Sequence, residues 1–166
     1  MLAGVHSERE KMIRIALLGL GTVGSRVYKH YIDDPGVVEA SIGSRVEIAR
    51  VLVRDLFKKR IVDVPQYKLT TDPRAILGDR KIDIVVSLLG NYDMEREYAL
   101  IALAFRQRVV LANPVVTLRR ELSAHHIKTH QFAIDREEPA STFRPAHSVW
   151  LAISRAATHI HNSNGT

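Results

Sequence analysis

Residues 13–24 read Ile-Arg-Ile-Ala-Leu-Leu-Gly-Leu-Gly-Thr-Val-Gly, and this stretch decides the fold. Its first six residues are mostly aliphatic and β-branched, which is typical of a buried strand, and the run stops at Gly19. From Thr22 onward the apolar residues follow the period of a helix, at Val23, Val27, Tyr28 and Tyr31. The stretch therefore predicts a strand, a glycine-rich turn and a helix in immediate succession.

The turn has the pattern Gly-x-Gly-x-x-Gly. In such a turn Gly19 would take the tight bend, Gly21 would let a diphosphate reach backbone N–H groups, and Gly24 would let the helix pack close to the sheet. The unpaired amides and the positive dipole end of the helix favour an anion there. Alternatively, the glycines serve only close packing in another kind of α/β protein. We favour dinucleotide binding, because the pattern follows a buried strand and opens a helix.

Further along the chain, apolar runs alternate with helical patterns. The later predicted strands are residues 46–53, 67–70, 82–89 and 109–112. Helices are predicted from residue 22 to about residue 35 and over residues 73–78, 93–106, 118–133 and 149–160, with a loop at residues 33–45 and frayed residues 161–166. Strands that are apolar throughout and alternate with helices indicate an α/β fold, a doubly wound parallel sheet with helices on both faces.

The composition limits the function classes. The 166 residues are 46% hydrophobic and 25% charged, which suits one compact domain rather than separate cofactor and substrate domains. No cysteine is present, which excludes disulfides and thiolate chemistry. The lack of a long apolar stretch or secretory leader predicts a soluble, cytoplasmic protein with no membrane partner. The net charge of +6 favours anionic partners, although scattered surface lysines give the same sum.

The end of the second strand is expected to meet the adenosine ribose of a dinucleotide. An Arg there accommodates a 2′-phosphate, whereas an acid accepts from a 2′-hydroxyl, and the sequence offers both as Arg54 and Asp55. A difference of one residue in register would exchange the preference between NADP and NAD. Lys58, Lys59 and Arg60 follow, which with Arg54 make four positive charges against one negative. We predict NADP as cofactor with NAD as the alternative, and Arg54, Asp55 and Lys58 as contacts.

Four motifs in order, at residues 15–24, 51–56, 70–72 and 82–86, resemble the cofactor domain of homoserine dehydrogenase. The resemblance spans about residues 13–113 and implies a Rossmann-type NAD(P)-binding domain at residues 13–116. It would follow a polar extension at residues 1–12 and precede a divergent helical segment at residues 117–166. Members of the family interconvert L-homoserine and L-aspartate 4-semialdehyde by hydride transfer. The resemblance implies a pyrophosphate site at Gly19, Gly21, Thr22, Val23 and Gly24, a 2′-phosphate contact at Arg54, and a nicotinamide border at Leu89, Gly90 and Asn113.

The chain also departs from the family. After the fifth strand the family reads Thr-Ala-Asn-Lys, with the Lys proposed to assist proton transfer, whereas this chain has Pro114 after Asn113. Proline has no titratable group and no N–H, so we predict no catalytic residue here. Ser87 and Asn91 stand where the family has Glu and Gly in Val-Val-Glu-Leu-Ile-Gly-Gly. Beyond residue 117 the resemblance fades, and we expect the substrate domain to be missing or degenerate. Truncation, frame disruption, divergence, and completion of the site by a partner chain or in a homodimer are alternative explanations.

Two rival functions are a non-enzymatic interaction or regulatory domain that binds an acidic partner, and a small but complete dehydrogenase. Nucleic acid is disfavoured as a partner, because the aromatic residues do not interleave with basic ones. His126 and His130 are four residues apart and would form half a metal site on a helix. A solvated helix face explains them better, and we predict no metal.

Overall fold

The computed structural model describes residues 12–111, 130–131 and 145–162. Its strands are β1 (Ile13–Leu18), β2 (Val46–Leu52), β3 (Leu69–Thr70), β4 (Ile84–Ser87), β5 (Arg108–Leu111) and β6 (His130–Gln131). The α-helices of this part of the chain are α1 (Thr22–Asp33), α2 (Pro35–Ile42), α3 (Tyr92–Ala104) and α4 (Pro145–Asn162). None of these helices is long and apolar enough to cross a membrane.

The six strands form one sheet in the order β3-β2-β1-β4-β5-β6, and every neighbouring pair is parallel. The order reverses between β1 and β4, so the chain fills one half of the sheet before it crosses to the other. In open parallel sheets, ligands bind at this switch point, beyond the carboxyl ends of the strands. The predicted α/β fold, a Rossmann-type doubly wound sheet with helices on both faces, is confirmed.

Alternate residues of β1 enter two different cores. Ile13, Ile15 and Leu17 are fully buried on the face covered by α1 and α4, whereas Ala16 and Leu18 are buried on the face covered by α3. Successive side chains of a strand point to opposite faces, so a strand with two covered faces needs apolar residues at nearly every position. This double burial explains the continuous apolar run that the sequence shows at residues 13–18.

Helix α4 completes the core on the α1 side. Trp150 is 3% exposed, and its indole Nε1 donates a hydrogen bond to the Val27 carbonyl over 3.2 Å. Its ring stacks on Tyr31 of α1, with centroids 6.3 Å apart. One turn further along α4, the Ser154 hydroxyl donates to the Ser41 carbonyl of α2. The predicted helix over residues 149–160 is confirmed and extends further at both ends.

The loop predicted at residues 33–45 is wrong, because α2 occupies most of it. Pro35 begins this helix with a backbone angle already fixed near the helical value. Val38 and Ile42 lie one turn apart and are both buried in the core. Gly43 then ends α2 in the left-handed conformation, with φ at 73°.

The helix predicted at residues 73–78 is a short 3₁₀ turn at Pro73–Ala75 instead. Asp72 caps this turn, since its side chain accepts a hydrogen bond from the Arg74 amide over 3.0 Å. Six residues are too few to repay helix nucleation. The Gln107 side chain supplies the missing partners, because its Nε2 donates to the Ile76 and Asp79 carbonyls.

The helix predicted at residues 118–133 is contradicted where the structure describes it. His130 and Gln131 form β6, which pairs with Val110 and Leu111 at the edge of β5. Pairing with the free edge of β5 stabilises the strand more than the helical spacing of the side chains stabilises a helix, because tertiary pairing overrides local preference. The rest of that segment, including His126, lies outside the described residues, as do the final residues 163–166.

The segment between β2 and β3 crosses without an α-helix. Its buried Lys68 donates from Nζ to the Ile48 carbonyl over 2.8 Å, and burial lowers the pKa of this ammonium. Ile48 lies where β2 bulges, since Ile15 pairs with Ile48 but Ala16 pairs with Arg50. Lys68 therefore anchors the segment to the strand that carries Arg54 at its end.

We expect Trp150→Ala to lower the free energy of unfolding by about 3–5 kcal/mol, the cost of removing a large buried ring. The adjacent Leu151 is 46% exposed, so Leu151→Ala on the same helix is expected to cost less than about 1 kcal/mol. Urea unfolding followed by far-UV circular dichroism measures both, because Trp150 is the only tryptophan and its fluorescence disappears with the substitution. Equal losses in the two variants would contradict the packing of α4 described above.

Candidate functional site

The turn after β1 requires glycine at its first position. Gly19 has φ at 105°, a conformation that side chains other than glycine rarely adopt. Its amide donates to the Leu52 carbonyl of β2 over 3.0 Å, and a Cβ atom there would lie 3.2 Å from the Leu88 carbonyl oxygen. The turn is thus held between the ends of β2 and β4.

The N-terminus of α1 is open. Gly21 is its N-cap residue, no side chain caps it, and the first backbone bond runs from the Ser25 amide to the Gly21 carbonyl over 2.8 Å. The amides of the first turn therefore have no helical acceptor. A Cβ atom on Gly21 would meet nothing within 4 Å, and both Gly21 and Thr22 are exposed. Unpaired amides beside open space suit a diphosphate that approaches the backbone closely.

Gly24 lets α1 lie directly against the turn. A Cβ atom there would be 2.4 Å from the Gly19 carbonyl oxygen, closer than real Cβ contacts, and 3.4 Å from the Leu88 side chain. The Ser25 hydroxyl adds a hydrogen bond to the Leu20 carbonyl over 3.3 Å. The helix axis and the turn are consequently fixed with respect to each other.

The loop after β4 forms the other wall of the crevice. The Leu88 amide donates to the Leu18 carbonyl over 2.9 Å, and the Leu89 side chain lies 3.4 Å from the position that a Gly19 Cβ would take. Gly90 is exposed and also faces open space. The structure thus brings Leu89 beside the glycine turn, with Gly90 next to it in the same loop. Asn113 lies outside the described residues.

Arg54 and Asp55 lie just beyond the end of β2, on the other side of the glycine turn from β4, and both are exposed. One carboxylate oxygen of Asp55 accepts a hydrogen bond from the Phe57 amide over 2.8 Å. Arg54 makes no hydrogen bond or ion pair with the residues that the structure describes. The arginine is therefore the more available of the two for a ligand at this strand end.

Arg60 does not join the positive cluster suggested by the sequence. Its guanidinium donates to the carbonyls of Lys58 over 2.7 Å, Leu56 over 3.2 Å, and Asp55. Arg60 thereby holds the loop that carries Arg54 and Lys58, a role that no sequence pattern indicates. The segment between β2 and β3 also contains a cavity of about 330 Å³, which is lined by Lys58 and Arg60. Neither Arg54 nor the glycine turn lines it, so we do not assign the dinucleotide to this cavity.

A buried polar pair joins the end of β4 to the first turn of α3. The Ser87 hydroxyl donates to Glu95 Oε1 over 3.1 Å, and the two residues are 1% and 2% exposed. The sequence singled out Ser87 but missed Glu95. The signal was its spacing, because Glu95 precedes the buried Ala99 of α3 by four residues and so lies on the buried face.

No group of three or more His, Asp or Glu residues in the described part of the chain is arranged to hold a metal ion. The geometry is instead that of a dinucleotide crevice, with an open helix N-terminus, a second wall after β4 and a free arginine after β2. The model of the homoserine dehydrogenase NAD-binding domain matches residues 19–130.

The chain belongs to this family. Over 103 residues the NAD-binding domain is 42% identical to homoserine dehydrogenase from Bacillus subtilis. These residues make up 62% of this chain and 24% of the relative. It is 40% identical over 107 residues to homoserine dehydrogenase from Synechocystis, and the matched residues make up 64% of this chain and 24% of the relative. The domain thus spans about a quarter of the curated relatives that it matches.

Solved structures agree with the sequence comparison. The NAD-binding domain superposes on homoserine dehydrogenase from S. aureus with a TM-score of 0.63 at 34% identity, covering 69% of this chain and 30% of that one. Against homoserine dehydrogenase from Thiobacillus denitrificans the TM-score is 0.59 at 29% identity, and the match covers 70% of this chain and 28% of that one.

We expect Gly24→Ala to lower the free energy of unfolding of the NAD-binding domain by about 2–3 kcal/mol, because the added methyl group must displace the Gly19 backbone. Gly21→Ala adds the same group where nothing lies within 4 Å, and it should cost less than about 1 kcal/mol. Chemical denaturation without ligand compares the pair. A larger loss for Gly21→Ala would contradict the open helix N-terminus.

Proposed function

We propose that this domain is the cofactor-binding unit of a homoserine dehydrogenase and holds NADP(H) in the crevice between β1 and β4. The observation that carries the proposal is the uncapped start of α1, where the backbone at Gly21 borders open space. Family membership supports a nicotinamide dinucleotide. The preference for NADP, the site residues and the activity belong to the proposal.

The chain's own residues would bind and orient the dinucleotide. Backbone amides at Thr22, Val23 and Gly24 would hold the pyrophosphate, with the positive dipole end of α1 adding to the attraction. Leu89 and Gly90, together with Asn113, would border the nicotinamide half. The cofactor supplies hydride transfer when it is bound, and the protein's part is to place it and to exclude water.

Arg54 supports NADP over NAD. Its guanidinium has no partner among the described residues, whereas one oxygen of Asp55 is already engaged by the Phe57 amide. Lys58 lies on the same loop, which Arg60 holds in shape. A guanidinium matches a phosphate dianion through paired hydrogen bonds, and a nearby ammonium adds charge.

The sequence supports binding without turnover by this chain alone. Pro114 stands where the resembled family has the lysine proposed to assist proton transfer, and proline offers no proton. We propose that a substrate-binding part, from a homodimer or another chain, completes the site.

We expect NADPH to raise the melting temperature of the wild-type domain more than NADH does. Arg54→Ala should weaken NADPH binding by about 10- to 100-fold, the loss of one charge-assisted phosphate contact, and leave NADH binding little changed. Arg45→Ala is the matched control, because Arg45 is exposed at the opposite end of β2. Titration calorimetry gives the affinities. Stronger stabilisation by NADH would instead assign the ribose contact to Asp55.

We expect the purified chain, mixed with NADP and L-homoserine, to give no rise in reduced-nicotinamide absorbance even at high protein concentration. A rise that disappears in Gly21→Ala would show a small but complete dehydrogenase and would overturn the proposal of incomplete catalysis. Gly21→Ala serves as the control because it places a methyl group where the diphosphate would approach, while the fold tolerates it.

One surface feature supports the non-enzymatic alternative. Phe57 and Ile61 are each 88% exposed and Tyr67 is 71% exposed, all on the segment between β2 and β3 beside Lys58 and Lys59. Exposed apolar side chains next to positive charges suit an acidic protein partner. Under this alternative NADPH gives no thermal shift, and binding to polyglutamate weakens steeply with added salt.

A further inference from the structure

We infer that the buried Ser87–Glu95 pair positions the nicotinamide half of the cofactor, an inference that rests on the proposed function. Ser87 is the last residue of β4, and Glu95 lies near the start of α3. The hydrogen bond between them is 3.1 Å long and closed to solvent. It joins the strand to the helix across residues 88–91, the loop that forms the second wall of the crevice.

The register of the sheet places this bond at the crevice floor. Ser87 is aligned with Leu18 of β1 and with Leu111 of β5, which are the last residues of their strands. Gly19 follows Leu18 directly. Ser87 therefore lies level with the base of the glycine turn, in the half of the sheet beyond the switch point.

Backbone and capping bonds hold the two ends of the loop. At its start the Leu88 amide donates to the Leu18 carbonyl over 2.9 Å. At its end the Asn91 side chain accepts from the Met94 amide over 3.0 Å. The first bond fixes the start of the loop to β1 and the second fixes its end to α3, while the Ser87–Glu95 bond fixes β4 and α3 to each other. Loosening it would move this wall and leave the other walls in place.

The adenosine side of the crevice is held by different contacts. The glycine turn is fixed by the Leu52 carbonyl and by the contact between Gly24 and Gly19. The Arg54 loop is fixed by Arg60. Neither set of contacts involves Ser87 or Glu95, so the pair is expected to act on one half of the dinucleotide.

The chemistry of the pair makes it costly to break. A hydrogen bond to a carboxylate is stronger than one between two neutral groups, and bulk water does not replace one of the donors that a buried acceptor loses. The start of α3 also favours a negative charge.

The test compares two ligands on the full chain by titration calorimetry. NADPH contains both halves of the cofactor, whereas adenosine 2′,5′-bisphosphate has the adenosine half and the 2′-phosphate but no nicotinamide. We expect Ser87→Ala to weaken NADPH binding by about tenfold, the loss of one buried hydrogen bond, and to change bisphosphate binding by less than about twofold. Ser41→Ala on α2 is the control, because it removes a hydroxyl that donates to Val38 far from the crevice, and it should change neither affinity.

The ratio of the two affinities separates positioning from general destabilisation. Equal weakening of both ligands in Ser87→Ala, or no weakening of either, overturns the inference. If Ser87→Ala does not fold, Ser87→Cys gives the same comparison, because it nearly keeps the volume and donates only weakly. If wild-type protein binds the bisphosphate and NADPH equally well, the inference fails while the proposed cofactor site stands. If it binds neither, the proposed function fails and the inference falls with it.

Discussion

The close approach of α1 to the end of β1 is the constraint on which the rest of the structure depends. The Gly24 backbone lies so near the Gly19 carbonyl that one methyl group would not fit between them. This contact fixes the direction in which α1 leaves the sheet, and with it the position of the open helix N-terminus. It also brings the Leu88 side chain against the same spot, so β4 is tied to the turn. The crevice between β1 and β4 therefore follows from the packing of two glycines and Leu88.

The two cores differ in how they support this crevice. On one face α1 packs against α4, whose Trp150 bonds to the Val27 carbonyl and stacks on Tyr31. Since α4 lies more than a hundred residues further along the chain, α1 is held by residues remote in sequence. On the other face α3 is held by a second apolar core and by the polar pair of Ser87 and Glu95. Burying a carboxylate on the α3 face costs free energy that an apolar side chain would not cost. This cost argues for a role of the pair beyond packing.

The features predicted from sequence are those that local chemistry determines. The strand, turn and helix at residues 13–33 were predictable, because glycines at fixed spacing between an apolar run and a helical stripe admit few other conformations. Helix α2 was missed because two buried residues one turn apart, behind a proline, give too short a pattern to stand out from a loop. Strand β6 was missed because its pairing with β5 depends on an edge formed elsewhere. The inward turn of Arg60 depends on three carbonyls of its own loop and leaves no periodic trace.

The same division between local and distant contacts applies within the site. The turn that would hold the diphosphate is built almost entirely from one continuous stretch, so its sequence pattern and its geometry coincide. The walls on either side of the turn are not built from one continuous stretch. The position of Arg54 depends on a loop held by Arg60, and that of Leu89 depends on a strand held by α3. The diphosphate-binding turn alone does not distinguish NADP from NAD or fix the nicotinamide face, since its backbone amides contact only the group that both cofactors share. Specificity and orientation must therefore come from the two braced walls, which are the parts of the crevice free to differ among proteins that keep the glycine turn.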